Sequence, residues 1–400
     1  MPTLTQDNIM AAFQEAAALQ ARGELAASAA LWQVVVEAAP ASAEPWHNLG
    51  QTLTQLGRYG DATRAHRRAA NLRPDALWAT FGLAGILHRT GRWREAEPVY
   101  AHVLKLEPDN PRVRTDYGHL LLGLGDFERG WPLYESRKDL ADHGAERLEI
   151  PNEWQGEPVA GRRLLIWPEQ GFGDQIQFAR YALALKAAGA EVTLVCPPEL
   201  FDLFRELPVT VKCRDSSTTV EVPDYWTLSL STAYRLGVTL AGISGEPYLR
   251  APADRRAKWA GHSAPGSVGV AWRGRNTHPN DAHRSLPSIE LLQPLRDAGA
   301  NLVDLSEPIG DFADLAAIVE QLDLVITVDT ALAHLAGAVG TPCWVMLPKI
   351  RQDWRWFQDR EDSPWYAGHR LFRQDSPGNW AAVVDQVTSA WRARAGLASR

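Results

Sequence analysis

The sequence predicts an all-α repeat array at its N-terminal end, followed by two α/β lobes that are each built on a parallel sheet. Two observations predict this. Glycines recur at a fixed step of 34 residues, at Gly23, Gly57, Gly91 and Gly125, which is how a stack of similar helical units reads in sequence. After Pro151 the pattern turns to short apolar runs alternating with amphipathic stretches, the mark of strands joined by crossover helices. At 400 residues the chain exceeds what a single core usually holds, so two or three domains are expected.

The repeat keeps its register at other positions. Pro40, Pro74 and Pro108 close successive units; Leu25, Tyr59, Trp93 and Phe127 follow each glycine by two; Ser28, Ala62, Ala96 and Gly130 hold a small position; and Trp32, His66, Tyr100 and Tyr134 form a further series. The spacing resembles the tetratricopeptide repeat, best in the copy Trp46, Leu49, Gly50, Tyr59, Ala62, Ala69, Pro74. Each unit is then a helical hairpin. The glycine permits the tight turn, the small residue lets the two helices approach, and the ring fills the seam to the next unit. About four units are expected over residues 1–140, the first and last degenerate as caps are. Such a stack offers a concave surface for a peptide or protein; a rigid spacer or a dimerisation module is the other use. Acidic and basic residues are nearly balanced here, so charge does not select a partner.

A first α/β block is expected over 151–250. Arg163–Trp167 and Glu191–Cys196 are its strands, and a helix runs from near Asp174 to Ala188. A second block, over 265–400, starts with Ser267–Trp272 and continues through strands near Leu302–Leu305, Leu324–Val328 and Pro342–Leu347. Ala251-Pro252-Ala253-Asp254 reads as the linker, and the terminal helix, Trp380–Arg394, as a segment crossing back over the first lobe. Two open parallel sheets in tandem place a ligand where their strand carboxyl ends face each other.

Composition removes several classes of function. With 45% hydrophobic and 22% charged residues the chain is an ordinary globular protein rather than a disordered one. A net charge of −7 with no basic run argues against a nucleic-acid partner. Cys196, Cys213 and Cys343 are scattered and odd in number, so reduced core thiols are expected rather than disulfides or a metal site. Neither a signal peptide nor an 18-residue apolar run is legible, and the expected location is cytoplasmic.

Three loops carry the residue types that chemistry needs. Between the first strand and its helix runs Trp167-Pro168-Glu169-Gln170-Gly171-Phe172-Gly173-Asp174. Gly171 and Gly173 let backbone approach a ligand, while Asp174 falls at the helix start, where an aspartate also serves as a cap. In the second block a strand ends in Asp329-Thr330 and a helix of small residues follows at once, so its free N–H groups and positive dipole end form a seat for diphosphate. His334, four residues on from Thr330, shares its face, with a structural helix histidine as the alternative. The loop after Trp272 holds Arg273, Asn276, His278 and Arg284, a density suited to a polyanion, arginine pairing bidentately with phosphate.

Gly171-Phe172-Gly173-Asp174 together with Asp329-Thr330-Ala331-Leu332-Ala333-His334-Leu335-Ala336 resembles the ADP-heptose:lipopolysaccharide heptosyltransferase family, whose fold is GT-B, two Rossmann-like α/β domains. The fusion to repeats, with Gly130-Trp131-Pro132-Leu133-Tyr134-Glu135 at the junction and Asp353-Trp354-Arg355-Trp356 near the end, is similar to bacterial repeat-containing relatives of that family. In architecture alone it is also similar to protein O-GlcNAc transferase. The resemblance implies an inverting, metal-independent glycosyltransferase with no cofactor and a nucleotide-sugar as co-substrate. It makes Asp174 the general base, ahead of Glu169 and His278, and the leaving diphosphate would be neutralised by Arg284, with Arg273 or Lys349, and by the helix from Thr330. The acceptor would be a hydroxyl, on a protein presented by the repeats if both halves act together. Leu347-Pro348-Lys349-Ile350-Arg351 replaces the family's Gly-Pro-Thr-type segment, so heptose itself is not carried over. Two other readings stand beside this one: a non-catalytic repeat scaffold with a degenerate nucleotide-binding region, and a sugar-nucleotide epimerase.

Overall fold

The computed structural model describes residues 6–143, 148–215, 219–394 and 396, and the chain divides into two compact units between Ser136 and Arg137. The first unit is helical throughout its described residues. Its hairpins are Gln6–Ala21 with Leu25–Ala38, Ala43–Gln55 with Tyr59–Leu72, Leu77–Arg89 with Trp93–Leu106, and Pro111–Gly123 with Phe127–Tyr134. Between the two helices of each pair the turn glycine is left-handed, with φ of 78°, 73°, 73° and 84° at Gly23, Gly57, Gly91 and Gly125, a conformation that costs other residues energy.

The register positions do the packing. Ala62 and Ala96 have no exposed surface, and the Ser28 hydroxyl donates to the Ala16 carbonyl at 2.8 Å, so the helices close on one another. Trp32, His66, Tyr100 and Tyr134 are all buried in the seams. His66 fits because its neighbours are glycines: a Cβ on Gly50 or Gly82 would lie 2.7 or 2.8 Å from its ring.

The second unit contains two sheets. In the first, β1 (Arg163–Trp167), β2 (Glu191–Cys196), β3 (Thr210–Cys213) and β4 (Tyr225–Leu228) lie in the order β3-β2-β1-β4, all parallel. The second has β5 (Ser267–Ala271), β6 (Asn301–Asp304), β7 (Leu324–Val328), β8 (Cys343–Leu347), β9 (Asp362–Ser363) and β10 (Tyr366–Arg373) in the order β6-β5-β7-β8-β10-β9, parallel except for β9. Strands β5, β7 and β8 are buried along their whole length, so they read as continuous apolar runs. Cys196 and Cys343 are buried, Cys213 is half-buried, and all three are free thiols.

Three expectations change. The helix expected from Asp174 to Ala188 is two, Phe172–Phe178 and Arg180–Ala187, joined at Ala179. The segment 251–254 is not a free linker: a helix, Ala253–Lys258, begins within it, and Arg255 pairs with Asp202 of the first lobe and with Asp311 and Asp314 of the second. The helix Trp380–Arg394 does not cross back. Its Trp380, Val383, Val384 and Val387 complete the core of the second lobe with Val268, Leu324 and Ile326, and the Trp391 indole donates to the Ala298 carbonyl. That apolar stripe is satisfied at home, which leaves nothing to drive a crossing.

Candidate active site

Each sheet order reverses once, between β1 and β4 in the first lobe and between β5 and β7 in the second, and loops after those strands are where open α/β sheets bind ligands. Both switch points are tied in the same way, by a side chain of one loop on the backbone of the other. Glu169, after β1, accepts the Leu230 N–H at 2.8 Å, and Arg284, after β5, donates to the Asp329 carbonyl at 2.9 Å. Glu169 is otherwise consumed: it is fully buried against Arg137, with bonds of 2.8 and 3.0 Å. That makes it a brace, and a poor candidate base.

The two loop–helix turns meet. A Cβ on Gly173 would lie 2.7 Å from the His334 ring and 3.4 Å from Ala331 Cα, so the first turns of Phe172–Phe178 and Ala331–Val339 are in contact. The absence of a side chain at Gly173 thus serves helix–helix approach across the lobes. Gly171 stands at the helix start, where its N–H donates to the Asp174 carboxylate at 2.9 Å, so Asp174 is a cap as well as a site residue. The second helix is capped by Thr330, whose hydroxyl accepts from Leu332 N–H.

Asp174, 21% exposed at its side chain, is also ion-paired with Arg355. Burial pushes its carboxyl above the usual range, Asp353 and Glu169 add to this, and the Arg355 guanidinium and Gly171 N–H oppose it. Asp329 accepts the Trp356 indole N–H at 2.9 Å and is pushed up to about 6, by burial first and by Asp353 next. His334 does not turn toward the helix start. It is buried, hydrogen-bonded to the Tyr366 hydroxyl at 3.0 Å and stacked on Trp356, and burial holds its imidazole well below the ordinary value, hence neutral.

The structure therefore gathers Gly171, Gly173, Asp174, Arg284, Asp329, Thr330 and His334. Of the others, Arg273 is exposed, paired with Glu307 and lying over the Trp272 ring, and Asn276 is exposed, so neither is drawn in; His278 accepts the Asn280 N–H at its Nδ1 and lies near enough to Arg284 and Asp353 to feel both charges; and Lys349 is fixed through its backbone N–H to Gln374. Three residues of the site were not picked out as functional in the sequence: Asp353, Arg355 and Trp356. Their signal was the Asp353-Trp354-Arg355-Trp356 motif itself, which alternates charge and indole just beyond a strand.

Fold and site together define a helical repeat array followed by an α/β unit with parallel sheets and a polar site at the strand carboxyl ends. Comparison with known proteins gives the same two parts. Residues 307–344 match the family model for glycosyltransferase family 9 (heptosyltransferase), and residues 46–77 and 79–114 match a tetratricopeptide repeat model. Protein FlbA of Caulobacter vibrioides is 26% identical over 89% of this chain and 74% of its own length. Superkiller complex protein 3 of Mus musculus is 32% identical, over 24% of this chain and only 7% of its own length. Among solved structures, MamA from Desulfovibrio magneticus RS-1 is similar at 19% identity and a TM-score of 0.33, over 35% of this chain and 78% of that one. Among the described residues no helix is long and apolar enough to cross a membrane.

Proposed function

We propose that the α/β unit is a GT-B glycosyltransferase that moves a sugar from a nucleotide-sugar to an acceptor hydroxyl, with inversion and without a metal ion. The observation that carries this reading is the contact between the two loop–helix turns, which sets the Asp174 carboxylate beside the start of the helix that follows Asp329-Thr330. The match to glycosyltransferase family 9 spans that same helix.

Asp174 takes the proton of the acceptor hydroxyl as its oxygen bonds to the anomeric carbon. The bond from that carbon to the diphosphate oxygen breaks on the opposite face, which inverts the centre. Charge on the leaving nucleoside diphosphate falls on the N–H groups and dipole of Ala331–Val339 and on Arg284, whose side chain is 12% exposed and so little screened. An ordinary aspartate is a weak base, and the upward push from burial at Asp174 brings it closer to the task. The match of the first unit to protein-binding repeats supports an acceptor presented as a protein or peptide.

Asp174→Asn keeps the size and the cap but removes the proton acceptor. Single-turnover sugar transfer should fall by about 10²–10⁴, with the melting temperature and donor affinity of the same sample unchanged. Full activity in that variant, or loss of its fold along with its activity, would remove Asp174 from the chemistry.

A further inference from the structure

Resting on the transferase reading above, we infer that Arg355 is the positioning residue of this site, holding the Asp174 carboxylate oriented at the seam between the two lobes. Its side chain is 4% exposed and its donors are shared out: Nε to Gln177 Oε1 at 2.6 Å, Nη1 to both Asp353 oxygens at 3.0 Å, and Nη2 to Asp174 Oδ1. The planar fork makes this directional, because one rigid group fixes three partners at set angles. The Trp354 ring lies under the charge at 4.6 Å.

The segment carrying Arg355 is itself held under strain. Arg351 and Phe357, at its two ends, adopt left-handed backbone at φ of 55° and 52°, a conformation that side chains with a Cβ rarely take. Bonds at both ends keep it there. Asn280 donates to the Arg351 carbonyl at 3.0 Å, and Arg373 donates to the carbonyls of Trp356 and Phe357 at 2.6 and 3.1 Å. In between, Trp356 bonds Asp329 on the opposite side of the site, so adjacent residues grip its two halves.

The electrostatic consequence is specific. Asp174, half-buried, faces two like charges, Asp353 on the same segment as Arg355 and Glu169 on its own loop, with Arg355 the cation opposing them and the Gly171 N–H a neutral donor. Taking Arg355 away leaves the half-buried carboxyl among like charges, so it takes up a proton at higher pH and a smaller fraction of it is free to accept one from the acceptor.

The test is Arg355→Met in the full chain, with two readouts. A carboxyl carbon-13 NMR titration, with the Asp174 resonance assigned through Asp174→Asn, should show the midpoint moving up by about one unit or more, and Arg355→Lys should restore part of it. Single-turnover transfer should fall, and by clearly more at pH 5 than at pH 8, where the carboxyl is ionised again. An unmoved midpoint, or a loss equal at both pH values, would make Arg355 only a structural brace. Should Arg355→Met fail to fold, the same comparison is made between Arg355→Met with Asp353→Asn and Asp353→Asn alone, since that pair removes a buried anion with the cation. The titration needs no substrate. A wild-type chain that transfers no sugar therefore sinks the transferase reading while the midpoint still decides the role of Arg355.

Discussion

At Gly173 the site has no room for a single carbon. The added Cβ of Gly173→Ala would press on a His334 ring that cannot swing away, since Tyr366 holds its Nδ1 and Trp356 is stacked against it. The two helices must therefore part by some tenths of an ångström. A destabilisation of about 1–3 kcal/mol is expected from such overpacking, read by urea unfolding. Sugar transfer should fall further than stability alone explains, because Asp174 moves with the displaced turn. Unchanged stability would mean the contact between turns is looser than the geometry says. Single residues also show what sequence can carry. Asp174, Asp329 and Thr330 are legible because a strand-to-helix turn is a local pattern. Arg355 is not, because the carboxylate it serves lies 181 residues away in the chain, a pairing only folding creates.

Among the elements, the second seam of the repeat array holds a histidine where its neighbours hold Trp32, Tyr100 and Tyr134, and that exchange has a pH signature. Burial lowers the His66 imidazole to about 3, with the nearby His47 and Arg89 adding to the effect and the Gly50 backbone opposing it. The folded array binds this proton less readily than the unfolded chain, whose histidine titrates near 6.5. Stability from this group is present above pH 6.5 and is lost as pH falls from there toward 3. Between pH 7 and 5 the loss is on the order of 2 kcal/mol. Hydrogen exchange in helix Tyr59–Leu72, corrected for intrinsic rates, should show it, and His66→Phe should flatten the dependence even if it shifts absolute stability. A slope unchanged in that variant would assign the effect to His47 or His88, which burial also lowers. The hairpins were legible because their glycines and small residues repeat; strands β1, β2 and β7 were legible because they are short apolar runs between turn signals. The terminal helix was misplaced because its apolar stripe says only that a face is buried, and not against which lobe.

For the whole molecule the proposed sugar transfer raises the question whether the repeats take part in it, and Trp78 allows it to be asked. Its ring is 39% exposed on the first helix of the third hairpin and lies 5.1 Å from that of His47 on the first helix of the second. First helices line the inner surface of such a stack, so a large half-open aromatic pair there is where a polypeptide would dock. Trp78→Ala removes the exposed ring of this surface while leaving in place His47, which packs edge-on against the seam residue His66. If the repeats present the acceptor, KM for a protein acceptor should rise about tenfold or more, whereas slow transfer of the sugar to water, which needs no acceptor docking, should keep its rate. The two rates separate the readings. Both falling together would show damage reaching the α/β unit, and neither moving would leave the array as a spacer or dimerisation module. Only a selective loss with the protein acceptor would make the repeats part of the specificity of the proposed transfer, because an acceptor hydroxyl held near Asp174 by distant contacts spends that binding free energy on orientation at the reacting carbon.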